Sequence, residues 1–166
     1  MKTAVLAAAA ALATAVLPRS AVLDLGTVQK YFPQVTREEY SGTNRTSSGD
    51  PTATRIVIFV NGDASKKVTI SVDRYATGRD ALAAYHQAVE KSKIPGFAPI
   101  GVPVVGQAAF AGKVTRGAET HLGIGAVNGK LVIGATLAGY APTDANLHKL
   151  SSLLRTESTV APTLSS

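Results

Sequence analysis

The two segments on either side of Asn128-Gly129 constrain the fold of this chain more than any other feature. They read THLGIGAV and KLVIGATLAGY, and apolar residues alternate with small or polar ones along both. A period of two is typical of a β-strand with one buried face. Asn-Gly between two such strands is the strongest short-range signal for a β-hairpin. The pattern therefore predicts two adjacent antiparallel strands.

A second hairpin and three helices complete the predicted order of elements. The run RIVIFV ends at Asn61-Gly62, and KKVTISVDRY follows it. Helices are expected after Asp24 and Thr77 as N-caps and after Pro142-Thr143. The segment QVTREEYSGT adds a further strand. We therefore predict an α+β fold, a mainly antiparallel sheet of hairpins packed with helices.

The helix after Thr77 is predicted to be amphipathic. Leu82, Tyr85 and Val89 recur at a helical period and define one apolar face, with Gln87 and Lys91 on the opposite side. We expect this helix to lie on the sheet.

The N-terminus has the pattern of a secretory signal peptide. One lysine precedes an uncharged run over residues 3–17, which is short for a membrane span. We assign residues 1–21 to the signal peptide, 23–157 to one globular domain and 158–166 to a flexible tail. Ala13-Thr14-Ala15 is a small-x-small cleavage motif, and cleavage nearer Ser20 or Ala21 is the alternative. A buried N-terminal helix is the structural alternative to export.

Composition limits the cellular compartments and the classes of binding partner to be expected for this chain. The chain has 166 residues and no cysteine, so a lipid-modified N-terminal cysteine is excluded and we expect a periplasmic or secreted protein. Its net charge of +6 permits weak contact with anionic surfaces. Only 5% of residues are aromatic and none is tryptophan, which argues against nucleic-acid binding. After processing, no transmembrane span is expected.

The glycine- and proline-rich stretch over residues 94–112 lacks the chemistry of a phosphate loop. Gly101 and Gly106 have the required spacing, but Gln107 and Ala108 follow where lysine and a hydroxyl residue are needed. The glycines around Gly123 open a hairpin rather than a helix, so a dinucleotide site is also not expected. We predict no cofactor.

The same stretch carries an unusual amount of apolar surface. Its side chains either close over the core between helix and sheet or line a cavity for an apolar ligand. Under the second interpretation the predicted pocket rim comprises Phe97, Ile100, Val102, Val105 and Phe110, together with Tyr85 from the preceding helix.

No catalytic or metal-binding motif is present in the sequence. The three histidines are His86, His121 and His148, and none has the spacing of a zinc motif. Glu119 and His121 share one strand face, which by itself is too few ligands for a site. No serine lies in a Gly-x-Ser-x-Gly elbow. We therefore assign no catalytic and no metal-binding residues and favour a non-enzymatic role.

A family resemblance adds to these inferences. The segments SVDRY, ALAAYHQAVEKS, PGFAPIGVPVVGQAAFAG, LGIGAVNGKLVIGATL and NLHKLSSLL resemble exported bacterial domains of the Mog1/PsbP-like fold over residues 56–154. The chain departs from that pattern in lacking the lipoprotein cysteine and in having Gln107 where an acidic residue is common. The resemblance implies an α-β-α sandwich with a ligand-binding or accessory role, and it supplies no catalytic residues.

Together these features predict an exported, non-enzymatic binding or accessory protein of the bacterial envelope or secretome. Its partner would be an unknown protein or a small apolar ligand. Two alternatives remain open: an enzyme whose site is assembled from scattered polar residues, and a basic domain that contacts anionic envelope polymer.

Overall fold

The chain folds around one seven-stranded sheet. In a computed structural model, the structure describes residues 16–44, 51–101, 105–116 and 119–161. The helices are α1 (Leu25–Tyr31), α2 (Gly78–Lys91) and α3 (Asp144–Val160). The strands are β1 (Arg37–Asn44), β2 (Ala53–Val60), β3 (Lys67–Arg74), β4 (Phe97–Ile100), β5 (Ala108–Arg116), β6 (Glu119–Asn128) and β7 (Leu131–Ala138).

The strand order is β1-β2-β3-β7-β6-β5-β4, and every pairing between described strands is antiparallel. The β2–β3 and β6–β7 hairpins form as predicted, and pairing of β3 with β7 joins them in one sheet. The predicted α+β class and antiparallel sheet are therefore confirmed.

The three helices begin at side-chain caps. Asp24, Thr77 and Thr143 each accept a hydrogen bond from the backbone N–H three residues later. Such a bond satisfies one of the amide donors that a helix N-terminus leaves without an intrahelical partner. The predicted starting points of the helices are therefore correct.

The helices cover both faces of the sheet. On one face, α1, α3 and the segment before α1 enclose the main core with side chains such as Val57, Ile70, Ile133 and Leu150. On the other face, α2 encloses a smaller cluster of Tyr75, Ala81, Tyr85 and Val127. No helix in the described part of the chain is long and apolar enough to cross a membrane.

The buried face of α2 differs from the predicted one at a single position. Tyr85 is buried, but Leu82 is 41% exposed, while Ala81 is fully buried. Ala81 and Tyr85 are four residues apart and so share a face of the helix. Close approach of α2 to the sheet favours the small Ala81 at the contact, and Leu82 is turned toward solvent.

Gly106 shows what the glycines of the 94–112 stretch do structurally. Its φ is +63°, and a side chain there would collide with the carbonyl oxygen of Val127. The next residue, Gln107, donates its backbone N–H to that same oxygen over 2.8 Å. Gly106 therefore allows the chain to turn tightly against β6 as it enters β5.

Buried residues also occur on both sides of the range 23–157. Leu17 and Ala21 precede this range and are 1% and 0% exposed. At the other end, α3 continues to Val160 and Ala161 is buried. The first fifteen residues of the predicted signal peptide and residues 162–166 of the predicted tail lie outside the described residues.

Candidate functional site

The central strands carry two glycine pairs on the face that α2 only partly covers. Gly112 on β5 lies opposite Gly123 on β6, and Gly125 on β6 lies opposite Gly134 on β7. Alternate residues of a strand point to the same face, so all four glycines leave that face without side chains. The result is a depression, which we call the glycine groove.

Two phenyl rings form one wall of the glycine groove. A Cβ atom at Gly112 would overlap the Phe97 ring, and one at Gly125 would lie 2.6 Å from Cε1 of Phe110. These two glycines therefore make room for rings that lie against the backbone. At Gly123 the nearest atom to a Cβ would be Cγ2 of Thr136 at 3.6 Å, so the floor is open there.

Hydroxyl groups and the helix complete the groove. Thr69 and Ser71 of β3 and Thr136 of β7 line it opposite the rings, and Ala88 of α2 lies along the border. Within the described ranges, the hydroxyls of these three residues have no hydrogen-bonded protein partner. The cavity has a volume of about 310 Å³ and a mainly apolar lining, with His121 as its single titratable residue.

The predicted rim residues separate into two groups. Phe97 and Phe110 line the glycine groove and also a neighbouring cavity of about 340 Å³ beside the end of α2. Tyr85, on the sheet-facing side of α2, is buried and contacts Phe110 edge to face, with ring centroids 5.6 Å apart. Ile100 and Val105 pack instead into the main core.

The alternation of side-chain direction along β4 explains why Phe97 and Ile100 lie on different faces of the sheet. Phe97 and Ile100 lie three positions apart, so their side chains point to opposite faces of the sheet. Val105 is 1% exposed and helps to close the main core. Val102 lies outside the described residues. Phe97 and Phe110 of the apolar stretch therefore line cavities, whereas Ile100 and Val105 pack into the main core.

Most groove residues were missed because the sequence signal is weak. Taken one at a time, each glycine indicates only a weaker strand, and nothing in the local sequence shows that it belongs to a groove. The hairpin turn nevertheless sets the register. Its two central residues are Gly129 and Lys130, since Asn128 pairs with Leu131, and counting back from there places Gly125 opposite Gly134. The contribution of β3 and β5 depends on tertiary pairing, which no local pattern specifies.

A polar cavity of about 580 Å³ adjoins the groove at His121. Glu119 and His121 share one strand face as predicted, with Nε2 and Oε2 3.4 Å apart. Lys67 and Tyr140 also line this cavity. Nowhere in the described residues do three or more histidine or acidic side chains form a group that could hold a metal ion.

Two acids have raised pKa values, the buried Glu157 and the half-buried Asp73. Burial raises the pKa of Glu157 to about 7, while the N–H of Leu23 partly opposes the shift. Burial also raises the pKa of Asp73, which accepts a 2.7 Å hydrogen bond from the Thr54 hydroxyl. Glu157 lies on α3, in the layer that packs on the face of the sheet opposite the groove. Neither acid lines the groove.

Comparison with known proteins identifies a fold but no family. No family model and no curated protein matches the chain. Among solved structures, the chain is similar to the crystal structure of the extracellular domain of PknH from Mycobacterium tuberculosis. The TM-score is 0.64 with 13% identity, over 84% of this chain and 93% of that one. At this level of identity the likeness concerns the fold alone.

Proposed function

We propose that this protein is an exported, non-enzymatic binding or accessory domain that holds a small apolar ligand in the glycine groove. The observation that carries the proposal is the groove itself: an apolar cavity between two phenyl rings and a row of hydroxyls. Its volume of about 310 Å³ is at the lower end of the range of small-molecule sites, roughly 300–1,000 Å³.

The lining indicates the chemistry of the ligand. An apolar body would remove the faces of Phe97 and Phe110 from water, which is favourable in proportion to the area covered. The open part of the floor lies at Gly123, because the two phenyl rings and the Ser71 hydroxyl occupy the space over the other three glycines. The groove therefore suits a narrow body rather than a bulky branched one. Ser71 and Thr136 offer hydrogen bonds to a polar group at one edge. His121 is the one ionisable residue in the lining, so a strongly charged ligand would have little to pair with.

Export has two supports. The first is the lysine and apolar run at the N-terminus, which have the pattern of a signal peptide. The second is the likeness in fold to an extracellular domain. We propose a periplasmic or secreted location on these grounds. The layering of α1 and α3 on one face and α2 on the other also supports the proposed Mog1/PsbP-like relationship.

An uncharged fluorescent probe tests ligand binding. N-phenyl-1-naphthylamine should bind the purified protein saturably, with one site per chain and increased fluorescence. Gly123→Leu should abolish this binding, because the new side chain has room above Thr136 and would fill the floor.

Gly62→Leu provides the matched control, since it lies in the β2–β3 turn and a Cβ there has no neighbour within 4 Å. Equal binding by both variants would contradict the proposal. Absence of probe binding to the wild-type protein, together with capture of a protein that Gly123→Leu fails to capture, would favour a protein partner on this surface instead.

A further inference from the structure

Phe97 lies between two apolar cavities. Its ring lines the glycine groove, of about 310 Å³, and also the cavity of about 340 Å³ beside the end of α2, which we call the second cavity. Phe110 is the other residue that both cavities share. Beyond the two rings, the mainly apolar lining of the second cavity includes Val89, Ile94 and Pro99. The rings therefore form a partition between two spaces of similar size and similar chemistry.

The two rings are held to different degrees. Phe110 belongs to β5, which has a strand on either side, and it packs against the cluster under α2, where Tyr85 contacts its ring. Phe97 belongs to β4, a four-residue strand at the edge of the sheet that pairs with β5. Within the described ranges, Phe97 is part of neither apolar cluster and has no aromatic ring contact. Of the two rings, that of Phe97 is the less restrained.

A glycine determines where the Phe97 ring lies. The ring covers Gly112 of β5, where a side chain would overlap it. Gly112 pairs with Gly123 of β6, which forms the open floor of the groove. A phenyl side chain can move by exchanging one staggered χ1 rotamer for another. Because glycine has no side chain, nothing of Gly112 itself would separate the two cavities once the ring had moved.

On the premise of the apolar ligand proposed above, we infer that Phe97 is a movable partition that sets the length of linear ligand the protein accepts. With the ring over Gly112, a ligand is confined to the glycine groove. A longer ligand displaces the ring and places its end in the second cavity, against Val89 and Ile94. Displacement loses the contact between the ring and Gly112, so extension beyond the groove gains less affinity per added group than filling the groove does.

A series of linear primary alcohols from hexanol to dodecanol tests this inference. Each alcohol, below its solubility limit, competes with N-phenyl-1-naphthylamine for the purified protein. Wild-type affinity should rise about fourfold per methylene while the groove fills, and more slowly once the chain reaches the ring. In Phe97→Ala the steep rise should continue to longer alcohols, because the two cavities are then joined. Phe97→Leu should shift the break in the same direction by less, and it serves if the alanine variant does not fold.

Ile100→Ala is the matched control. Ile100 lies on the same strand as Phe97 but packs against the main core on the other face of the sheet. Its truncation weakens packing without opening the partition, so the break should stay at the wild-type chain length. A break that is also unchanged in the Phe97 variants, or failure of every alcohol to displace the probe, would overturn the inference and leave the proposed site in place. Absence of probe binding to the wild type would overturn the proposed site as well.

Movement of the ring has its own readout. The chain contains four phenylalanines, so labelling with para-fluorophenylalanine places one fluorine NMR probe at each. Phe32 and Phe59 are buried in the main core and should respond to no alcohol. The Phe110 signal should shift with every alcohol that binds, whereas the Phe97 signal should change further for alcohols longer than the break. A Phe97 signal that is the same for short and long alcohols would indicate a fixed ring and overturn the inference.

Discussion

Glu157 of α3 should make the stability of this domain fall as pH rises toward neutrality. The side chain is fully buried, and Oε2 accepts a hydrogen bond from the N–H of Leu23 at 2.9 Å. Its other oxygen, Oε1, is buried with no hydrogen-bond partner among the described residues. An ionised carboxylate there would be short of donors, and burial accordingly raises its pKa to about 7.

The sign and size of the effect follow from proton linkage. The pKa is higher in the folded chain, about 7, than the ordinary value of 4.5, so the folded state binds the proton more tightly. The stabilisation is complete below about pH 4.5 and is lost as pH rises through 7. A difference of about 2.5 pKa units corresponds to about 3 kcal/mol of unfolding free energy.

Chemical denaturation between pH 5 and 8.5, followed by circular dichroism, measures this directly. Glu157→Gln keeps the shape of the side chain and its carbonyl acceptor but cannot ionise, so its unfolding free energy should depend less on pH than that of the wild type. At pH 8 the variant should be the more stable of the two, by up to about 3 kcal/mol.

The difference between the two proteins isolates Glu157, because Asp73 and the other titratable groups are common to both. Glu90→Gln removes an exposed carboxylate of α2, 69% accessible and paired with Lys93, and serves as the control for loss of one negative charge. Parallel pH profiles for Glu157→Gln and the wild type would refute the reasoning.

Three further changes test other parts of the structure. Gly129→Val should lower the unfolding free energy by about 1 kcal/mol or more, because φ is +59° there and a β-branched residue is strained in that conformation; an unchanged denaturation midpoint would argue against it. Gly125→Val should displace the Phe110 ring and weaken binding of N-phenyl-1-naphthylamine, measured by fluorescence titration. Calorimetry with ATP and magnesium should detect no binding at residues 94–112; micromolar affinity lost in Gly106→Val would contradict this.

Local patterns determined the three helices and five of the seven described strands of this fold. Alternation on either side of Asn128-Gly129 specified a hairpin, because strand period and turn chemistry act over a few residues. Thr77 marked the start of α2 for the same reason, since a cap bonds to an amide only three residues away. The register of the hairpin differs from that of an Asn-Gly turn, since Asn128 pairs with Leu131 and the turn consists of Gly129 and Lys130. The sequence could not predict that Ala81, and not Leu82, is buried against the sheet. The two residues are neighbours on the helix, and the helical period alone does not decide which of their faces meets the sheet.

What the tertiary structure decided is how distant segments meet. Pairing of β3 with β7 brings Ser71 beside Gly134, and the groove exists only because that pairing aligns hydroxyls, glycines and phenyl rings from separate strands. Likewise, Glu157 is buried because it meets Leu23, a residue 134 positions away. Contacts at such separations depend on the packing of whole elements. The local sequence around an isolated glycine does not show that it will form part of a groove. The local sequence around a helical glutamate does not show that packing will raise its pKa.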